Sequence, residues 1–113
     1  MEEKQQRLVR RYYQYLKLEK GHSPNTIDAY MRDLDKFLRF LKDEGKDFLS
    51  IELEDVHHFS ALMMDVGIHP ASLSRILSGV RSFYHFLVLS DVLEVNPTEL
   101  LEFPKKPQHL PDV

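Results

Sequence analysis

The chain has 113 residues, 42% hydrophobic and 29% charged, which suits one folded soluble domain rather than a disordered segment. It contains no cysteine, so disulfides, thiolate metal sites and a cysteine nucleophile are excluded, and a cytoplasmic setting fits. No apolar run approaches the ~20 residues that span a bilayer, the polar opening Met-Glu-Glu-Lys-Gln-Gln-Arg is no export signal, and a net charge of −3, if evenly spread, would disfavour a polyanionic partner.

In chain order, residues 3–20 place Leu8, Tyr12 and Leu16 at i, i+4, i+8, with Val9 and Tyr13 beside them, which predicts an amphipathic helix. Gly21 marks its end, and Ser23-Pro24 supplies an N-cap followed by a first-position proline. The second helix, 24–44, carries the stripe Ile27, Tyr30, Met31, Leu34, Phe37, Leu38 and Leu41, and Gly45 stops it. A polar, extended stretch is expected over 46–51. The third helix, 53–66, turns Val56, Phe59, Leu62, Met63 and Val66 inward, with Glu52, Glu54 and Asp55 at the positive end of its dipole and Gly67 at its close. The fourth helix, 70–90, starts at Pro70 and buries Leu73, Ile76, Leu77, Val80, Tyr84 and Leu87. Asn96-Pro97-Thr98-Glu99 reads as the N-cap, first-position proline and N3 glutamate of a short fifth helix. Pro104, Pro107 and Pro111 with Lys105 and Lys106 give 104–113 the composition of an interdomain linker. No strand pattern is present. The expected fold is all-α: a small bundle of four main helices plus a short C-terminal helix.

Charge sign is segregated along the chain. Residues 1–46 carry 11 Lys/Arg against 8 Asp/Glu, 47–66 carry 5 acids and no base, 67–90 carry 2 arginines and no acid, and 91–113 carry 2 lysines and 5 acids. The local field, not the total, steers a polyanion. With Val80 at the centre of the core face, the opposite face of the fourth helix holds Ala71, Ser74, Arg75, Ser78, Ser82 and His85, flanked by Arg81 and, near the N-terminus, Ser72. Small hydroxyls and arginine without carboxylates suit close approach to phosphates and to base edges in the ~12 Å major groove. With Leu34 at the core centre, the second helix presents Asn25, Ala29, Arg32, Lys36 and Arg39, with Asp28 to one side; Ser23, Asn25 and Thr26 at its start, with free backbone amides, make a natural phosphate site. Taken singly, the second-helix face is an ordinary solvated surface; beside the acid-free fourth helix it points to a nucleic-acid partner.

Other features carry less. Phe40, Phe83 and Phe86 fall off-centre on their wheels and are expected to meet the first or fifth helix; the alternative is an apolar patch for a sister subunit, the basis of a second reading as a helical protein-interaction module that binds no DNA. His57 and His58 point about 100° apart and cannot easily share a metal, so no metal site is assigned. The tyrosines, Tyr12, Tyr13, Tyr15, Tyr30 and Tyr84, sit at helical spacing and read as core. No catalytic constellation or phosphate loop is present, and no cofactor is implied.

Three stretches carry a resemblance. Leu18-Glu19-Lys20-Gly21-His22-Ser23-Pro24-Asn25-Thr26, then Ala29-Tyr30-Met31-Arg32-Asp33-Leu34 and Phe37-Leu38, resemble the opening of the Xer-type tyrosine recombinases of the phage integrase family. So does Ser74-Arg75-Ile76-Leu77-Ser78-Gly79-Val80-Arg81-Ser82-Phe83-Tyr84, while Asn96-Pro97, Pro104-Lys105-Lys106-Pro107 and Leu110-Pro111 resemble the join to that family's catalytic domain. The resemblance implies a SAM-like core-binding domain over 1–103, the N-terminal half of a C-shaped clamp on DNA, with 104–113 beginning the linker. It assigns Ser23, Asn25, Thr26, Ala29 and Arg32 to one DNA-contact surface and Ser72, Ser74, Arg75, Ser78, Arg81 and Ser82 to a second; Lys36 and His85 join them from the helix wheels. Sister recombinase subunits in a synaptic tetramer are the implied protein partners. The family's chemistry, strand cleavage by a tyrosine through a 3′-phosphotyrosyl intermediate, belongs to the C-terminal domain. No tyrosine here is therefore assigned as nucleophile, and no activity is expected of this chain alone.

Overall fold

The computed structural model describes residues 2–103 and contains four helices: α1 (Glu2–Leu18), α2 (Pro24–Asp43), α3 (Leu53–Asp65) and α4 (Pro70–Leu89). No strand occurs among the described residues, and none of their helices is long and apolar enough to cross a membrane. The expected linker, 104–113, lies outside the described residues.

Helix α4 packs against all three others, and that position explains its composition. The stripe expected from the sequence is buried, and Gly79, Phe83 and Phe86 are buried with it. A helix with neighbours on three sides keeps only a narrow polar strip. Phe83 and Phe86 meet Tyr12 and Tyr15 of α1, as expected; the Tyr12 and Phe83 rings stand edge to face with centroids 5.3 Å apart. Phe40 turns instead to α3, against Phe59 and His58. All three phenylalanines are buried, so none forms a surface patch. Helix α3 is peripheral. Only Val56 and Phe59 are buried in it, and Leu62 and Val66, expected inward, are exposed because a helix held along one seam has nothing covering its flanks.

Helices α2, α3 and α4 end alike. The backbone N–H of Lys46 donates to Leu41 O, that of Ile68 to Met63 O and that of Val92 to Leu87 O, at 2.9–3.0 Å. This closure puts the residue before each donor at positive φ. Gly45 and Gly67 meet that demand at α2 and α3; at α4 the position is Asp91, at φ 60°.

Two expectations are corrected. The stretch 46–51 is not extended and polar. The Asp47 side chain accepts the Leu49 N–H at 3.0 Å, and the resulting turn drops Phe48 and Ile51 into the core. The Phe48 carbonyl accepts the Tyr84 hydroxyl at 2.6 Å, and burial pushes the Tyr84 phenol well above its usual pKa, so it stays a donor. The fifth helix is absent: 97–100 is a single turn. Asn96 caps it as expected, its side chain accepting the N–H and hydroxyl of Thr98 at 2.8 and 2.6 Å. Arg81 donates to the Glu99 carbonyl at 2.8 Å, tying this turn to α4, and Pro104 disfavours helical backbone at Phe103.

Candidate nucleic-acid interface

The α2 surface is built from its first turn onward. The Ser23 hydroxyl oxygen accepts the Thr26 N–H at 3.3 Å and its O–H donates to Thr26 Oγ1 at 3.0 Å, so both side chains serve the cap while Ser23 remains exposed. Asn25 and Arg32 are exposed and Ala29 is half-buried. Arg39 is held by Asp35 at 2.8 Å, which leaves Arg32 and Lys36 as the cations of this face closest to α4 in helical register.

The α4 face divides into two halves. In the N-terminal half, His69 caps the helix, its Nδ1 accepting the Ala71 N–H at 3.0 Å. Ser72, Ser74 and Ser78 are half-buried and Arg75 is exposed. This half meets α2 at one buried carboxylate, which the helix wheels did not single out. Asp33, 1% exposed, accepts two bonds from Arg75: Nε to Oδ2 at 3.0 Å and Nη2 to Oδ1 at 3.1 Å. Lys36 Nζ approaches the same carboxylate at 3.8 Å. Gly79 sits beside it; a Cβ there would lie 3.7 Å from Asp33 Cβ and 4.0 Å from the Tyr30 carbonyl oxygen, which marks the close crossing of the two helices. In register, Ala29, Arg32 and Lys36 lie on one side of Asp33 along α2, and Ala71, Arg75 and Ser78 follow one another along α4. The two faces derived separately from the sequence therefore adjoin at this crossing.

The C-terminal half of the α4 face is placed differently. The Ser82 hydroxyl oxygen accepts the Tyr12 O–H at 2.9 Å, and burial raises the Tyr12 pKa above its usual value although that bond opposes the rise. Arg81 binds the Glu99 carbonyl and lies 5.7 Å over the Phe103 ring. With the exposed His85, these residues line an open cleft of about 660 Å³ between α1, α4 and the 94–103 segment. The structure thus brings Arg75 and Lys36 together on Asp33 and places Arg81, Ser82 and His85 in the cleft, with Ser78, one turn from Arg75, lining the cleft as well.

Among the described residues the molecule is an all-α bundle in which two polar helix faces adjoin. The profile of the phage integrase N-terminal SAM-like domain matches residues 9–90, and the chain belongs to that family. It is 38% identical over 106 residues to the tyrosine recombinase XerC of Pediococcus pentosaceus, covering 92% of this chain and 35% of the relative. It is 35% identical over 104 residues to the tyrosine recombinase XerD of Oceanobacillus iheyensis, covering 90% and 35%. The XerC of Leptospira interrogans serovar copenhageni is 38% identical over 104 residues, 91% and 33%. The chain spans about a third of the length of these relatives. No solved structure matches it.

Proposed function

We propose that this chain is the DNA-binding domain of a site-specific tyrosine recombinase and grips duplex DNA at recombination half-sites through the α2–α4 crossing. The observation that carries the reading is the junction at Asp33, where Arg75 and Lys36 converge on a strip otherwise made of small residues, so backbone can approach backbone. Ser23, Asn25, Thr26, Ala29, Arg32, Lys36, Ser72, Ser74, Arg75 and Ser78 form the contact strip. Arg81 and Ser82 belong to the framework that holds the C-terminal segment and α1, and His85 flanks the strip. The domain comprises 1–103, with 104–113 leading to the catalytic half, where strand cleavage and rejoining take place. Sister subunits complete the synaptic assembly, and chromosome dimer resolution or DNA integration is the task served. The phenylalanines that would have served a protein-interaction module are interior, which favours DNA over that alternative.

The test is a titration of labelled duplex at several salt concentrations. Neutralising about 3–5 phosphates gives a slope of log K against log salt near −3 to −4. Affinity indifferent to salt, or no binding, overturns the reading.

A further inference from the structure

We infer that Asp33 is a positioning residue that turns Arg75 into a reader of a guanine edge rather than a phosphate clamp. The inference rests on the DNA-binding reading and deepens it. A guanidinium offers five N–H donors in a rigid plane. Asp33 takes Nε and one donor of Nη2, at 3.0 and 3.1 Å. The Nη1/Nη2 edge remains, and because the group is planar, that edge faces away from Asp33 with two parallel donors. This is the fork that matches guanine O6 and N7 in the major groove.

Phosphate would accept the same fork, and three observations favour the base. The buried Asp33 carboxylate offsets the Arg75 charge, which weakens attraction to an anion more than to the uncharged edge of a base. The anchor reaches across from another helix, 42 residues away in sequence, so the long side chain is fixed before binding and loses little freedom on docking. Its helical neighbours Ala71, Ser74 and Ser78 are small, so the helix can sit deep enough for a base edge to be reached. Arg32, exposed and one residue from Asp33 along α2, makes no such bidentate bond among the described residues and suits a phosphate.

The experiment is selection by this chain from a duplex library with a randomised window, followed by affinity measurements on the enriched and scrambled duplexes. Wild type enriches a motif with one fixed G·C pair. Arg75→Lys keeps the charge and loses the fork; preference at that pair falls roughly tenfold to hundredfold while scrambled duplex is still bound. Asp33→Asn loses the same preference, and by unmasking the Arg75 charge it steepens the salt slope by about 1. A purely structural pin between helices would move melting temperature and leave both readouts unchanged. Arg32→Ala weakens all duplexes alike and flattens the slope by about 1. Should Asp33→Asn fail to fold, Asp33→Glu takes its place: the longer acid shifts the anchor, so loss of the preference with scrambled duplex still bound supports the inference and an unchanged motif overturns it. An unchanged motif in Arg75→Lys overturns the inference. So does a wild-type chain that binds duplexes in a salt-dependent way with no base preference; either result leaves the DNA-binding reading standing. Absence of salt-dependent binding overturns both.

Discussion

At Asp91 the backbone adopts a conformation that its side chain disfavours. The closing bond from Val92 to Leu87 at the end of α4 needs a left-handed residue, and Asp91 provides it at φ 60° where α2 and α3 use glycine. Aspartate tolerates this region better than most residues, but glycine does so without a Cβ clash. Asp91→Gly therefore raises stability by about 0.5–1 kcal/mol, read as a higher urea midpoint at unchanged m. Asp55 carries a pH dependence. Its carboxylate accepts the Glu52 N–H at 2.9 Å and pairs with Lys46 at 2.9 Å. The backbone bond is the larger cause of its lowered pKa, with Lys46 adding to it and burial opposing. A carboxyl lowered by folding stabilises the fold above its unfolded value, near 4, and that contribution fades as pH falls through the folded value. The protection factors of amides in the first turn of α3, which correct for the intrinsic exchange rate at each pH, should thus fall in wild type below about pH 4. Asp55→Asn should exchange faster already at pH 7 and lose this acid-dependent step.

Helices α2 and α4 were legible because each keeps an apolar stripe in 3.6-residue register over twenty residues. Their polar faces were legible for the complementary reason. On α3 and at its cap, Leu62 and Val66 fit the periodicity yet are exposed. Periodicity reports which side a residue takes and not whether a neighbour covers it. Asp33 was missed because its partner is 42 residues away. The only local hint was an acid set beside Leu34 at the margin of the stripe. Gly79 belongs to the same crossing, and its replacement tests how tight that crossing is. The Cβ of Gly79→Ala would make ordinary contacts, 3.7 Å to Asp33 Cβ and 4.0 Å to the Tyr30 oxygen. Alanine in a helix interior gains about 0.5–1 kcal/mol over glycine, so the melting temperature should rise by several degrees. A fall would mean that the crossing depends on the bare glycine backbone. Gly79→Leu would wedge the helices apart, and duplex affinity would drop with stability.

For the whole molecule, the acid-rich stretch 47–66 and the α2–α4 crossing occupy different elements, so the net charge of −3 does not describe the field at that crossing. The five acids of 47–66 lie on α3 and the turn before it, while Arg32, Lys36 and Arg75 lie along the α2–α4 crossing. The C-terminal segment was legible only in part. Asn96 and Pro97 announced a capped turn, but its tie to α4 through Arg81 is a contact eighteen residues apart in sequence. The family resemblance counts Arg81 among the DNA contacts, whereas the structure gives it the Glu99 carbonyl at 2.8 Å and the Phe103 ring at 5.7 Å. The two roles separate cleanly in Arg81→Ala. If Arg81 is framework, the substitution costs about 1–2 kcal/mol of stability and speeds amide exchange at Glu99 and Leu101, whose N–H groups close the 96–101 turn. Duplex affinity and salt slope should then stay within about twofold of wild type, because the strip around Asp33 is untouched. A salt slope flatter by about 1, with exchange in the turn unchanged, would return Arg81 to the DNA surface.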